Sequence, residues 1–199
     1  MYCKERVPAE IKEIAVDIDL WDMEHHTYQG NTPSHGFKVG IGTLASLGLY
    51  EAVLARDLTK LNVDAVIAAW PTLEQNDAEI DSLFEIPELR QKAKLESTTK
   101  YIDHAALRAQ LERVKRDSPR IRERLDEKRL PRAQVRQMLA AAGCPVKSED
   151  IGISAERLRT SFCKAYHIRR RFTVLDLVRR ANLWEECLDQ VFSGEAENG

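Results

Sequence analysis

From Gly36 to about Ala55 the apolar residues Phe37, Val39, Ile41, Leu44, Leu47, Leu49, Val53 and Leu54 fall on every side of a helical wheel, not along one stripe. A helix that is apolar all round has to be buried, so the pattern predicts a core helix at the centre of the fold. Beyond it the pattern turns amphipathic and is punctuated by start and stop signals. Asn62 is placed to cap a short helix that Pro71 ends, and Thr72 with Gln75 forms the capping box that opens the next. A further helical stretch follows Pro87. Asp103 precedes a long amphipathic segment carrying Ala106, Leu107, Leu111, Val114, Ile121 and Leu125, with a bend expected near Pro119.

Pro131 at a first turn and Gly143 just past a last one bracket a helix from Arg132 to Ala142. Ser154 and Thr173 are N-caps for the last two helices, one carrying Leu158, Phe162 and Tyr166, the other Leu175, Val178, Leu183, Leu188 and Val191. No stretch alternates with the two-residue period of a strand. The predicted fold class is all-α, a helical bundle spanning 36–192. An irregular segment over 1–35, broken by Pro8, Gly30, Asn31 and Pro33, precedes it, and a frayed tail over 193–199 follows.

Composition changes this picture little. With 199 residues and 43% hydrophobic content the chain can bury one good core or two small ones. Its 30 basic and 32 acidic residues nearly cancel, so a charged partner must be met by a local patch. Cys3, Cys144, Cys163 and Cys187 lack C-x-x-C spacing and read as reduced thiols. No secretory signal is evident. The longest weakly polar run, Val39 to Tyr50, falls short of the roughly 20 residues of a membrane span, so the expected location is cytoplasmic, with no membrane partner.

The candidate chemistry gathers near the start of the core helix. His25, His26 and His35 lie close in sequence among carboxylates, and imidazole and carboxylate are the usual ligands of a catalytic divalent metal. Surface histidines clustered by chance would look the same, and no H-E-x-x-H pattern separates the two. Gly40-Ile41-Gly42 lacks the preceding strand and third glycine of a dinucleotide fingerprint. Gly36, Gly40, Gly42 and Gly48 instead leave bare backbone for close approach of a helix, a loop or a ligand. Between Arg108 and Arg136 basic residues outnumber acids, and Arg169-Arg170-Arg171 follows later. The acids interleave at helical spacing with few aromatics, so a solvated face is expected and nucleic-acid binding is not.

The stretch Leu20-Trp21-Asp22-Met23-Glu24-His25-His26, followed by Ser34-His35-Gly36-Phe37-Lys38-Val39-Gly40-Ile41-Gly42-Thr43-Leu44, resembles the bacterial sn-glycerol-1-phosphate dehydrogenase branch of the iron-containing alcohol dehydrogenase superfamily. The resemblance covers roughly residues 20 to 192 and is most specific over Ser34 to Leu44. It implies a helical C-terminal domain, preceded in that family by a nucleotide-binding domain, with a divalent metal (zinc, nickel or iron), NAD(P) and a small polyol-phosphate substrate. By carry-over His35 is a metal ligand.

The chain also departs from that pattern. The family's other ligand histidine aligns with Ala15, and its following histidine with Asp19. The aspartate ligand and the glycine-rich nucleotide domain have no counterpart in residues 1 to 19. Asp17 and Asp19 offer substitute oxygen ligands, and His25 and His26 further nitrogen donors. The implied reading is a truncated or split dehydrogenase-like domain, inactive alone, that pairs with a separate nucleotide-binding domain or with a copy of itself. The alternative is a non-catalytic helical interaction or regulatory protein derived from the same scaffold.

Overall fold

The computed structural model describes residues 14–15 and 26–193. These residues form α1 (His35–Leu54), α2 (Val63–Ala68), α3 (Leu73–Leu83), α4 (Pro87–Lys100), α5 (His104–Lys128), α6 (Arg132–Ala141), α7 (Ala155–Ile168), α8 (Val174–Arg180) and α9 (Trp184–Ser193), with single 3-10 turns at Leu58–Lys60 and Ser148–Ile151. Among the described residues there is no strand, only an isolated bridge between Tyr28 and Asn31. The class is all-α.

Helix α1 is the core helix that its pattern predicts. Leu47, Leu49 and Val53 are fully buried, and α6, α7, α8, α9 and the second 3-10 turn all contribute to the cluster around it. Burying each such side chain contributes about 1.5–3 kcal/mol, so α1 is held by packing on all sides. The helix is longer than the run Val39 to Tyr50 suggests. Its most apolar 18-residue window, at a mean hydropathy of 1.3, makes this 20-residue helix long and apolar enough to cross a bilayer by composition, yet 72% of that window is buried within the fold. Two smaller clusters complete the core. Val63, Val66 and Trp70 pack on Leu107 and Leu111 of α5, and Ile80, Phe84 and Ala93 pack on Ile168.

Three of the four α1 glycines meet a neighbour. A Cβ on Gly42 would lie 3.0 Å from both Cα and Cβ of Ala15, a fully buried helical residue. The bare backbone of Gly42 therefore accepts another segment of the chain. Gly48 faces the Arg132 guanidinium at 3.4 Å and Gly40 faces Leu139 at 3.8 Å, so α6 runs antiparallel along α1. Glu51 of α1 fastens the start of α6, accepting from the Arg132 backbone N–H at 2.8 Å and from the Arg129 guanidinium at 3.0 Å. That supplies the cap Pro131 lacks.

The predicted caps form. Asn62, Thr72, Asp103, Ser154 and Thr173 each accept from a backbone N–H in the first turn of their helix, and Thr72 with Gln75 closes a capping box. Helix α5 runs through Pro119, whose missing N–H frees the Lys115 carbonyl. The Ser118 hydroxyl donates to that oxygen at 3.2 Å. The predicted last helix is two. Asn182 takes φ +55, a left-handed conformation that asparagine tolerates, and Leu183 N–H closes on the Val178 carbonyl at 2.9 Å. Leu175 and Val178 thus belong to α8, and Leu188 and Val191 to α9.

Candidate functional site

Ser34 accepts from the Phe37 N–H at 3.3 Å and starts α1, which puts His35 at the first helical position. His35 is exposed, and a Cβ on Gly36 would meet nothing closer than the Ser34 hydroxyl at 4.0 Å. The head of α1 thus places an exposed histidine beside bare backbone. His26 lies elsewhere. Its Nε2–H donates to the Ile151 carbonyl at 2.7 Å, and the Tyr28 ring lies where a Cβ on Gly152 would be, so this strip is pinned to the second 3-10 turn. Asp17, Asp19 and His25 lie outside the described residues.

A three-ligand metal site does not fit the described residues. No group of three histidine, cysteine, aspartate or glutamate side chains is arranged to hold an ion among them. Ala15, which the resemblance aligns with a ligand histidine, has no side-chain donor atom and packs against Gly42. His26 spends its Nε2 on a carbonyl. A catalytic zinc-type centre needs three protein ligands, and no such set is arranged among the described residues.

The structure gathers a second set of chemical groups that no sequence spacing signals. Where α3, α4, α7 and α8 meet, Lys100 and Asp176 form an ion pair at 3.1 Å with side chains 6% and 2% exposed. Lys100 Nζ also donates to the Tyr166 carbonyl and sits 3.7 Å above the Tyr166 ring centroid. Burial pushes the Lys100 ammonium below its ordinary proton affinity against the opposing pull of Asp176, and burial likewise raises the Tyr166 phenol. Nearby, the Ser97 hydroxyl is 2.9 Å from His167 Nδ1, while Nε2 lies 3.7 Å from the Glu79 carboxylate, which pairs with Arg179.

Serine, histidine and glutamate in contact suggest a hydrolytic triad. Ser97 is 2% exposed and His167 fully buried, however, so the arrangement ties helices together.

No family model, curated protein or solved structure matches this chain. The functional reading therefore rests on these residues. Besides the head of α1, the described residues line surface depressions large enough for a ligand. A cleft of about 420 Å³ is lined by Trp70, Pro71, Arg179, Trp184, Glu185 and Glu186. A groove of about 380 Å³ is lined by Lys92, Glu96 and Arg169 to Arg171.

The buried imidazole has a measurable consequence. Burial lowers the proton affinity of His167, and Glu79 opposes this without reversing it, while Lys100 and Arg179 add to it. In the unfolded chain the imidazole titrates near 6.5, so as pH falls through that value the unfolded state takes up the proton first. Stability should decline below about pH 6.5. Thermal melts should show a falling midpoint from neutral to mildly acidic pH, with a shallower slope in His167→Gln. An equal slope in both proteins would show that His167 is not the group responsible.

Proposed function

We propose that this chain is the helical half of an NAD(P)-dependent polyol-phosphate dehydrogenase-like scaffold, corresponding to the domain that carries the metal-side histidine in the sn-glycerol-1-phosphate family, and that it is catalytically silent by itself. The observation that supports the reading is the head of α1. The Ser34-His35-Gly36 run caps a buried, glycine-bearing helix and presents its imidazole to solvent. No chemical step is assigned to a metal, because the described donors do not complete a site.

The purified chain, given NAD(P) and sn-glycerol 1-phosphate under metal-replete conditions, should form no reduced nicotinamide. Turnover at any rate above a His35→Ala control would refute the proposal.

A second reading is favoured by one specific contact. Ala15 against Gly42 turns the family's first ligand position into helix packing, as expected of an interaction or regulatory protein that kept the scaffold and lost the chemistry. The two readings separate in trans. A nucleotide-binding polypeptide of the same family should restore turnover under the first and not under the second.

A further inference from the structure

A cleft of about 420 Å³ opens where the link from α2 to α3 meets the turn between α8 and α9. Trp70, Pro71 and Trp184 are its apolar walls. The Trp70 indole N–H is committed to the Ile102 carbonyl at 3.0 Å, so Trp70 brings ring to the wall and not a donor. Both tryptophans are clamped in the core, at 8% and 6% exposed, and give the cleft fixed edges rather than mobile side chains. Core packing accounts for their burial but not for a hollow of this size between them.

Every charged side chain that lines the cleft is already matched. Arg179 pairs with Glu79, Glu185 with Arg159 at 2.5 Å, and Glu186 with Arg56 at 3.2 Å. A charged ligand would have to displace one of these partners, whereas a neutral one leaves all three pairs in place. Asn182 differs from them. It holds the turn at φ +55 through its backbone, while its side-chain amide makes no hydrogen bond to another described residue. The left-handed turn accounts for a small residue there, and glycine would serve it equally well. What asparagine adds at the cleft is a donor and an acceptor side by side.

We propose that this cleft binds an uncharged aromatic molecule whose ring carries an amide-like edge. Its volume falls in the range of roughly 300–1,000 Å³ typical of small-ligand sites. The ring lies against the indole edges and Pro71, where contact between aromatic groups adds to the area buried. The amide-like edge pairs with the Asn182 carboxamide, donor to acceptor in both directions. No residue of the cleft belongs to the head of α1, so the inference stands apart from the dehydrogenase-like reading.

Benzamide is the minimal probe. Nuclear magnetic resonance titration of the whole isotope-labelled chain should show saturable shifts of the Trp70 and Trp184 indole N–H signals, at the millimolar affinity of so small a ligand. Binding should weaken about three- to tenfold in Asn182→Gly, which keeps the left-handed turn. It should be lost in Ala69→Phe, where an exposed lining residue is enlarged to fill the hollow, and be unchanged in Arg124→Gln on exposed α5. Benzoate and benzylammonium, charged analogues of similar size, should each bind weaker than benzamide by about twofold or more. Absence of saturable shifts overturns the proposal, as do shifts that persist unchanged in Asn182→Gly and Ala69→Phe. Either charged analogue binding as tightly as benzamide overturns it too.

Discussion

Replacing Asp176 with alanine is expected to cost about 3–5 kcal/mol of folding stability, because it strands the Lys100 ammonium in a site closed to water. Asp176 also accepts from the Thr173 backbone N–H at 2.9 Å and the Thr173 hydroxyl at 3.2 Å, so the same change opens the cap of α8. Lys100 cannot swing out to solvent. Its Nζ sits 3.7 Å above the Tyr166 ring centroid and donates to the Tyr166 carbonyl, and Arg180 is held close by the Lys100 carbonyl at 2.7 Å. Urea unfolding with an unchanged slope and a lowered midpoint would report the loss. Lys100→Met/Asp176→Leu should recover much of it, since an apolar pair of similar size needs no desolvation. A loss under about 1 kcal/mol in Asp176→Ala would mean that water reaches the pair, and the buried network would have to be redrawn.

The second large effect concerns Ala15, where the resemblance would put a ligand. On resemblance, Ala15→His looks like the repair of a metal site. The geometry predicts damage instead. Ala15 is fully buried, and its Cα and Cβ already stand 3.0 Å from where a Gly42 Cβ would be, so an imidazole there would be overpacked. Overpacking of this kind costs about 1–3 kcal/mol, and Gly42→Leu should cost at least as much from the other side of the contact. Gly36→Ala is the matched control. Its Cβ meets open space, and alanine is the better helix former, so stability should hold or rise slightly. Chemical denaturation of the three variants measures all of this. An Ala15→His protein as stable as the parent would place Ala15 at a cavity and reopen the metal-site reading.

Those two sites mark where the sequence was readable and where it was not. The isotropic apolar pattern of α1 identified the buried centre, and the glycines within it announced close approach, because both are local consequences of helix geometry. Caps at Asn62, Thr72, Asp103, Ser154 and Thr173 were equally legible, each lying within three residues of the N–H it serves. Asn182 was not read as a stop, since asparagine continues a helix as often as it ends one by a left-handed turn.

The polar network was invisible for a different reason. Ser97 and His167 are 70 positions apart, and nothing in either neighbourhood marks a partner. The same holds for Lys100 with Asp176 and for Glu79 with Arg179, which meet only once α3, α4, α7 and α8 are packed. At the head of α1 the sequence signalled His35 but not the burial of Ala15, which depends on a crossing between distant turns.

The proposed reading turns on His35, which no group of three candidate metal ligands joins among the described residues. Its most direct test is the zinc, nickel and iron content of the whole chain after purification and desalting under metal-replete conditions, compared with His35→Ala. The account predicts well under one equivalent of metal in both proteins, with no difference between them, because three protein ligands are needed and the described residues arrange no such set. Near-stoichiometric metal in the parent that disappears in His35→Ala would contradict it.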